Sequence, residues 1–314
     1  MSDISAKLVM DLRAKTGAGM MDCKRALMET KGDFDLAVDW LRKKGISAAA
    51  KKSSRIAAEG LVGLFIKEDL KKACLVELNS ETDFVARNDN FQKLLLNIGK
   101  LALENTDEVE KLKAVKYTLN NRNLEEEIRE NVALIGENLN LRRVKNVEVK
   151  EEGIVAGYVH NEIATNMGKI GVMVVLASKG DKDKLQTLGK QIAMHIAASK
   201  PESLTISDLD PELVEREKTI FLEQSRASGK PESIVEKMVE GRLRKFYEEV
   251  VLLEQVFVMD GKTKILEVLN DFSKELGTEV KLESFVRFSL GEGIEKNEGN
   301  FADEVASVIS SSKS

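Results

Sequence analysis

Few of the 314 residues could do covalent chemistry. His160 and His195 are the only histidines, and Cys23 and Cys74 the only cysteines. A histidine can relay a proton or activate a nucleophile, but only with a second group within hydrogen-bond reach. Neither histidine has another histidine or a cysteine nearby in the sequence, so nucleophilic catalysis has nothing to build on. His195 sits within a helical pattern and is expected to be structural. His160 ends a strand-like run before a polar loop and is expected to be exposed. So few soft ligands argue against a zinc site. The cysteines are far apart and form no CxxC, which fits a reduced, cytosolic compartment and ordinary small apolar roles. Gly261-Lys262-Thr263 ends like a phosphate-binding loop, GxxxxGK[ST], but the motif's first glycine falls on Val256. Gly17 and Gly19 make a GxG, yet Asp22 occupies the third glycine position and no strand precedes it. No GxSxG, HExxH or calcium-loop pattern occurs, and nothing argues for an enzyme or a bound cofactor.

What remains is chemistry by contact, in SETDFVARND (Ser80 to Asp89). A strand-like run, ACLVELN, precedes it, and FQKLLLNIGKLALE follows with apolar residues at helical spacing. Phe84, a large apolar ring, therefore stands in a short polar connection beside Asp83. One reading makes the ring a core residue that pins the connection, with Thr82 or Asp83 capping a helical turn. The other makes it an exposed anchor for a partner's pocket, worth about 1.5–3 kcal/mol when buried there. Phe84 lies off the helical register of Phe91, Leu94, Leu95, Ile98 and Leu101, which favours the second reading.

Around this stretch the chain must build more than one core, since its length predicts about two to four units. Hydrophobic residues make up 42% and charged residues 32%, a globular composition with a heavily charged surface. A net charge of −5 argues against nucleic-acid binding over a broad surface. No apolar run reaches the roughly 18 residues of a membrane helix, and the amphipathic N-terminus has no cleavage site. A protein neither membrane-spanning nor secreted is expected.

Residues 1–45 predict three short helices. Ile4, Leu8, Val9 and Leu12 mark the first. Met21, Ala26, Leu27 and Met28 mark the second. Phe34, Ala37, Val38 and Leu41 mark the third, which Gly45 is expected to close. Residues 46–58, small and basic, read as a linker, with contact to an acidic surface as the alternative. An internal repeat follows. EGLVGLFI (59–66) corresponds to EGIVAGYV (152–159), and ACLVEL (73–78) to IGVMVVLA (170–177). Each pair precedes a helix and a later third strand, LNLRRVKNVEV (139–149) or KLESFVRFSL (281–290). Short connections imply antiparallel pairing, hence two small three-stranded sheets covered by helices. Before its third strand the first copy inserts one helix, at Leu124, Ile128, Val132 and Ile135. The second inserts two charged helices broken at SGKPES, an antiparallel hairpin whose thin stripe (Val214, Ile220, Phe221, Ile234, Val235, Met238, Val239) is its own seam or a contact surface. A polar tether then leads to a short amphipathic helix, Phe301 to Ile309. At the place of Asp83-Phe84 the second copy has the polar SKGDKDK (178–184), so the ring is not needed by the shared fold.

TGAGMMDCKRAL, TDFVARN, IGENLNLRRV, IAMHIAASKPE, EKMVEGRLRKF and GEGIEK, in this order, resemble the bacterial elongation factor Ts family along essentially the whole chain. The members are guanine-nucleotide exchange factors of elongation factor Tu, a GTPase. The resemblance implies an α+β fold. Its parts are a three-helix module similar to ubiquitin-associated domains (1–45), a linker (46–58) and two core subdomains (59–151; 152–200 with 251–290). An inserted coiled-coil hairpin (201–250) and a C-terminal helical module (291–314) complete it. It also implies that Thr82, Asp83, Phe84 and Val85 intrude beside the partner's magnesium site, with Asp83 and Phe84 at the tip. Arg13, Met20, Met21, Phe301 and Val305 match positions that contact the partner's nucleotide domain. His160 matches a histidine of the second subdomain that reaches another partner domain. Asn161 to Lys169, NEIATNMGK, replaces a shorter, glycine-rich turn after that histidine. A homodimer, or two copies with two partners, joined by the hairpin or the core, stays open. The expected role is exchange by binding, in the cytoplasm, with no catalytic residue, nucleic acid or membrane involved. The alternative is an adaptor that tethers partners through the N-terminal module and hairpin.

Overall fold

The computed structural model describes residues 4–117 and 122–295, with only the backbone described at 46–50. Three helices come first: α1 (Ala6–Thr16), α2 (Met20–Glu29) and α3 (Phe34–Lys52). The first repeat copy follows as β1 (Glu59–Ile66), β2 (Lys72–Ser80), α4 (Asp89–Glu104), α5 (Val109–Ala114), α6 (Leu124–Ile135) and β3 (Asn140–Glu148). The second comprises β4 (Gly153–His160), β5 (Met167–Gly168), β6 (Ile170–Ala177), α7 (Lys182–Ser199), the hairpin α8 (Pro211–Arg226) and α9 (Glu232–Val250), then α10 (Ile265–Leu276) and β7 (Lys281–Ser289). The fold is α+β, with two small antiparallel sheets as expected from the repeat.

The first three helices close on Val9, Leu12, Cys23, Ala26, Leu27 and Ala37. Ser5 caps α1 by accepting the Leu8 N–H, and Gly17 ends it at φ +68°. The expectation that Gly45 closes the third helix is corrected: α3 continues through it to Lys52. Ala48, Ala49, Ala50, Lys51 and Lys52 are strong helix formers, and one internal glycine costs only about 1 kcal/mol. The glycine also lets α3 approach α6, since a Cβ there would sit 3.0 Å from that of Ala133.

Each sheet is covered by helices on one face and by the other sheet on the opposite face. Leu61, Phe65, Cys74, Val76 and Leu78 point into a core shared with α4 and α6. Their neighbours Val62, Leu64, Ala73 and Leu75 meet Val155, Val159, Met173 and Val175 of the second sheet. On the far side Ile154, Ala156, Val172, Val174 and Leu176 pack under α7 and α10. Burial on both faces explains why these strands read as continuous apolar runs rather than alternating ones.

The repeat extends to backbone detail. The ladder between the second and third strand of each copy shifts register once, between Glu77 and Leu78 and between Val175 and Leu176. Gly60 and Gly153 open the two copies at φ +118° and +152°. A Cβ at these two positions would lie 2.2 Å from the Leu78 carbonyl oxygen and 2.1 Å from that of Leu176. Only glycine fits such a conformation and approach.

The copies differ at one edge. The first sheet has four strands, in the order β3-β2-β1-β5, and the second has three, β4-β6-β7. The added strand, β5, comes from the NEIATNMGK segment of the second copy. Gly168 pairs with Val62 and Met167 with Gly63, Leu64 donates its N–H to the Asn166 carbonyl at 2.8 Å, and Met167 is buried in the first core. Lys169 ion-pairs with Glu59 at 3.1 Å. The segment from Asn161 to Lys169 therefore staples the two sheets together.

Candidate functional site

The β2–α4 connection leaves the sheet as a tight polar loop. Ser80 Oγ donates to the Thr82 carbonyl at 2.8 Å. Past the tip the chain makes a 3-10 turn at Val85–Arg87, with Ala86 N–H on the Asp83 carbonyl and Arg87 N–H on that of Phe84. Val85 and Ala86 are buried in the first core, and Gln92 Nε2 donates to the Ala86 carbonyl at 2.9 Å. Asn88 then caps α4, accepting from the N–H groups of Asn90 and Phe91. The core therefore holds the chain immediately after the tip. Phe84 itself is 81% exposed, and Asp83 beside it is exposed too. The ring does not pin the connection; Val85 and Ala86 do.

Before the tip the loop is held by the turn that follows α6. Gly136 ends α6 in the left-handed region, at φ +90°. Glu137 then turns its carboxylate onto Thr82, accepting the backbone N–H at 2.9 Å and the hydroxyl at 2.6 Å. In return Glu81 accepts the Asn138 N–H at 2.6 Å and pairs with Arg55 at 3.3 Å. Asn138 Nδ2 donates to the Arg55 carbonyl at 2.8 Å. The two loops clasp each other through a carboxylate from each side.

The N-terminal helices lie along α6 from its first turn to its last. A Cβ on Gly17 would come within 2.8 Å of Leu134, so the TGAG turn lies directly on α6. Arg42 of α3 pairs with Glu126 at 3.4 Å, and Lys52 donates to the Gly136 carbonyl. Between these helices and the core runs a cleft of about 540 Å³, lined among others by Asp22, Lys44, Asn97 and Tyr117. Its polar groups are largely used internally, Lys44 on Asp22 and Asn97 on the Tyr117 hydroxyl at 2.7 Å.

The remaining sequence candidates fall on separate elements. Met20 and Met21, at the start of α2, are 42% and 69% exposed, and Arg13 is exposed on α1. His160 is exposed at the end of β4, its Nδ1 3.1 Å from the Tyr158 hydroxyl. No hydrogen bond or ion pair among the described residues joins these three places to one another or to Phe84. Phe301 and Val305 lie outside the described residues. His195 is structural, as expected: it is buried, Nδ1 accepts the Val258 N–H at 3.2 Å, and Nε2 therefore donates to Gln255 Oε1 at 2.9 Å. Burial lowers its pKa, partly offset by that hydrogen bond. No group of three or more His, Cys, Asp or Glu among the described residues could hold a metal ion, and none of their helices is long and apolar enough to cross a membrane.

Two polar features were missed in the sequence. Glu137, within IGEN, carries no signal beyond its place after a helix-ending glycine. Glu77 does carry one, as a charge interrupting the apolar ACLVEL. It is fully buried and accepts from Arg142 at 3.1 Å, from Arg143 and from the Gly291 N–H at 2.9 Å. Burial alone would raise its pKa, but the Gly291 N–H and the Arg143 guanidinium hold it below the ordinary value. The second copy's C-terminal exit is thereby locked onto the strand that leads to the tip.

Comparison with known proteins places this architecture. The family model for Elongation factor TS matches residues 81–292, from the tip loop to the GEGIEK turn. Elongation factor Ts of Rhodospirillum centenum is 58% identical over 308 residues, covering 98% of this chain and 99% of the relative. Those of Rickettsia bellii and Rhizobium etli are 54% and 50% identical, each over 98% of this chain and at least 98% of the relative. The chain belongs to the elongation factor Ts family.

Proposed function

We propose that the protein is a guanine-nucleotide exchange factor for the GTPase elongation factor Tu, acting in the cytoplasm by binding and not by catalysis of a covalent step. The observation that carries this reading is the Phe84 ring, 81% exposed on a backbone fixed on both sides. A GTPase holds GDP through Mg²⁺ and backbone N–H groups around the phosphates. An apolar ring with a carboxylate beside it, pushed against that site, displaces the elements that hold the metal and weakens nucleotide binding. Thr82 and Val85 anchor the wedge, and Asp83 and Phe84 form its tip.

Coupling of this kind is reciprocal: the factor by which the protein weakens GDP is the factor by which GDP weakens the protein's own binding. Each 1.4 kcal/mol of coupling is tenfold in affinity, so one ring is not enough and further docking contacts must contribute. Arg13, Met20 and Met21 on the N-terminal helices, Phe301 and Val305 near the C-terminus, and His160 on the second sheet are assigned to that docking. The test is release of labelled GDP from elongation factor Tu. Acceleration by substoichiometric protein supports exchange; binding without acceleration supports an adaptor instead.

A further inference from the structure

We infer that Glu137 is a positioning residue for exchange, holding Phe84 in its working orientation through Thr82. This rests on the exchange reading above. With its ring 81% exposed, Phe84 gains almost no orientation from packing, so its direction is set by the backbone on either side. On the downstream side Val85, Ala86 and Gln92 tie the chain to the first core. On the upstream side the hold nearest the tip is the Glu137 carboxylate, which takes both the N–H and the hydroxyl of Thr82, 55 residues away in sequence. Ser80 and Glu81 brace the same turn, but neither bonds a donor on Thr82, the residue next to the tip pair. A carboxylate that accepts two donors of one residue fixes that residue's direction as well as its position. Without it the upstream half of the tip can rotate, and the ring is presented in many orientations of which few fit the partner.

A group acting in this way changes the rate of the committed step more than it changes encounter, because docking is assigned to residues on other elements. GDP release from elongation factor Tu is measured against concentration of the GTPase for wild type, Glu137→Ala, Glu137→Gln, Thr82→Val and the double variant Thr82→Val/Glu137→Ala, with thermal melts of each. Losing hydrogen bonds to a charged group corresponds to about tenfold or more. Glu137→Ala is therefore expected to lower kcat about tenfold with KM within about twofold. Glu137→Gln is expected to recover most of the loss, since its amide oxygen accepts the N–H while its NH₂ donates to the hydroxyl oxygen. The double variant is expected to be no slower than Glu137→Ala alone, because the hydroxyl bond that Thr82→Val removes is already lost with Glu137.

Wild-type kcat retained by Glu137→Ala overturns the inference, as do additive losses in the double variant or equal loss in the Gln and Ala variants. Should Glu137→Ala fail to fold, Thr82→Val decides: a several-fold lower kcat with an unchanged melt supports the clasp, and a wild-type rate overturns it. Wild-type protein that leaves GDP release at its spontaneous rate overturns the exchange reading and this inference together, an outcome distinct from all the others.

Discussion

Phe84→Ala should separate function from stability. At 81% exposure only about a fifth of the ring is covered in the free protein. Full burial of a phenylalanine is worth about 1.5–3 kcal/mol, so the folded state gains at most about 0.6 kcal/mol from this one. For a chain of this size, with about 2–4 °C of melting temperature per kcal/mol, the variant should melt within about 2 °C of wild type. If the ring is buried in the partner during exchange, the full value is at stake there. That corresponds to roughly ten- to a hundredfold in the rate of GDP release. Stopped-flow release of a fluorescent GDP from the GTPase, beside a thermal melt, measures both. A melting temperature lowered by 6 °C or more with exchange intact would mean instead that the ring supports the fold.

Three buried residues, Glu77, His195 and Met167, give further predictions. Glu77→Ala leaves two arginines and the Gly291 N–H without their carboxylate and should cost about 3 kcal/mol in urea unfolding, the lower end for a broken buried pair because the arginines are partly exposed. Since the folded-state pKa of Glu77 is lowered, its contribution is present above the unfolded value near pH 4.3 and is lost as pH falls through the folded value. The stability gap between wild type and Glu77→Gln should accordingly narrow in acid. His195 has a lowered folded-state pKa and bonds that need the neutral ring, so stability should fall as pH drops below about 6.5, less steeply in His195→Gln. Met167→Ala should destabilise by about 2–3 kcal/mol, since the staple's methionine is 5% exposed in the first core. No change in the urea midpoint would make the segment a surface decoration.

The repeat was legible because both faces of its strands are buried, which turns a structural demand into long apolar runs that can be aligned. The same alignment exposed Phe84, whose ring has no counterpart in SKGDKDK. The staple was not legible. Its pairing partners, Val62 and Gly63, lie a hundred residues upstream, and a two-residue strand has no periodicity to find. The run of α3 through Gly45 was hidden for a related reason: a glycine reads locally as a stop, while its use here is close approach to α6. The contact roles of Arg13, Met20, Met21 and His160 entered through resemblance alone, since an exposed methionine or histidine has no partner-binding pattern of its own. Glu137 shows the same limit from another side. Its importance lies in what it faces across 55 residues, which no local reading contains.

Exchange by binding requires this protein to open another protein's nucleotide site without any covalent step. The direct measurement is release of labelled GDP from elongation factor Tu with excess unlabelled nucleotide and substoichiometric amounts of this chain. The expected result is release far above the spontaneous rate, with each molecule of protein acting on many molecules of the GTPase. Release that stays at the spontaneous rate, even when the two proteins form a complex, would contradict it.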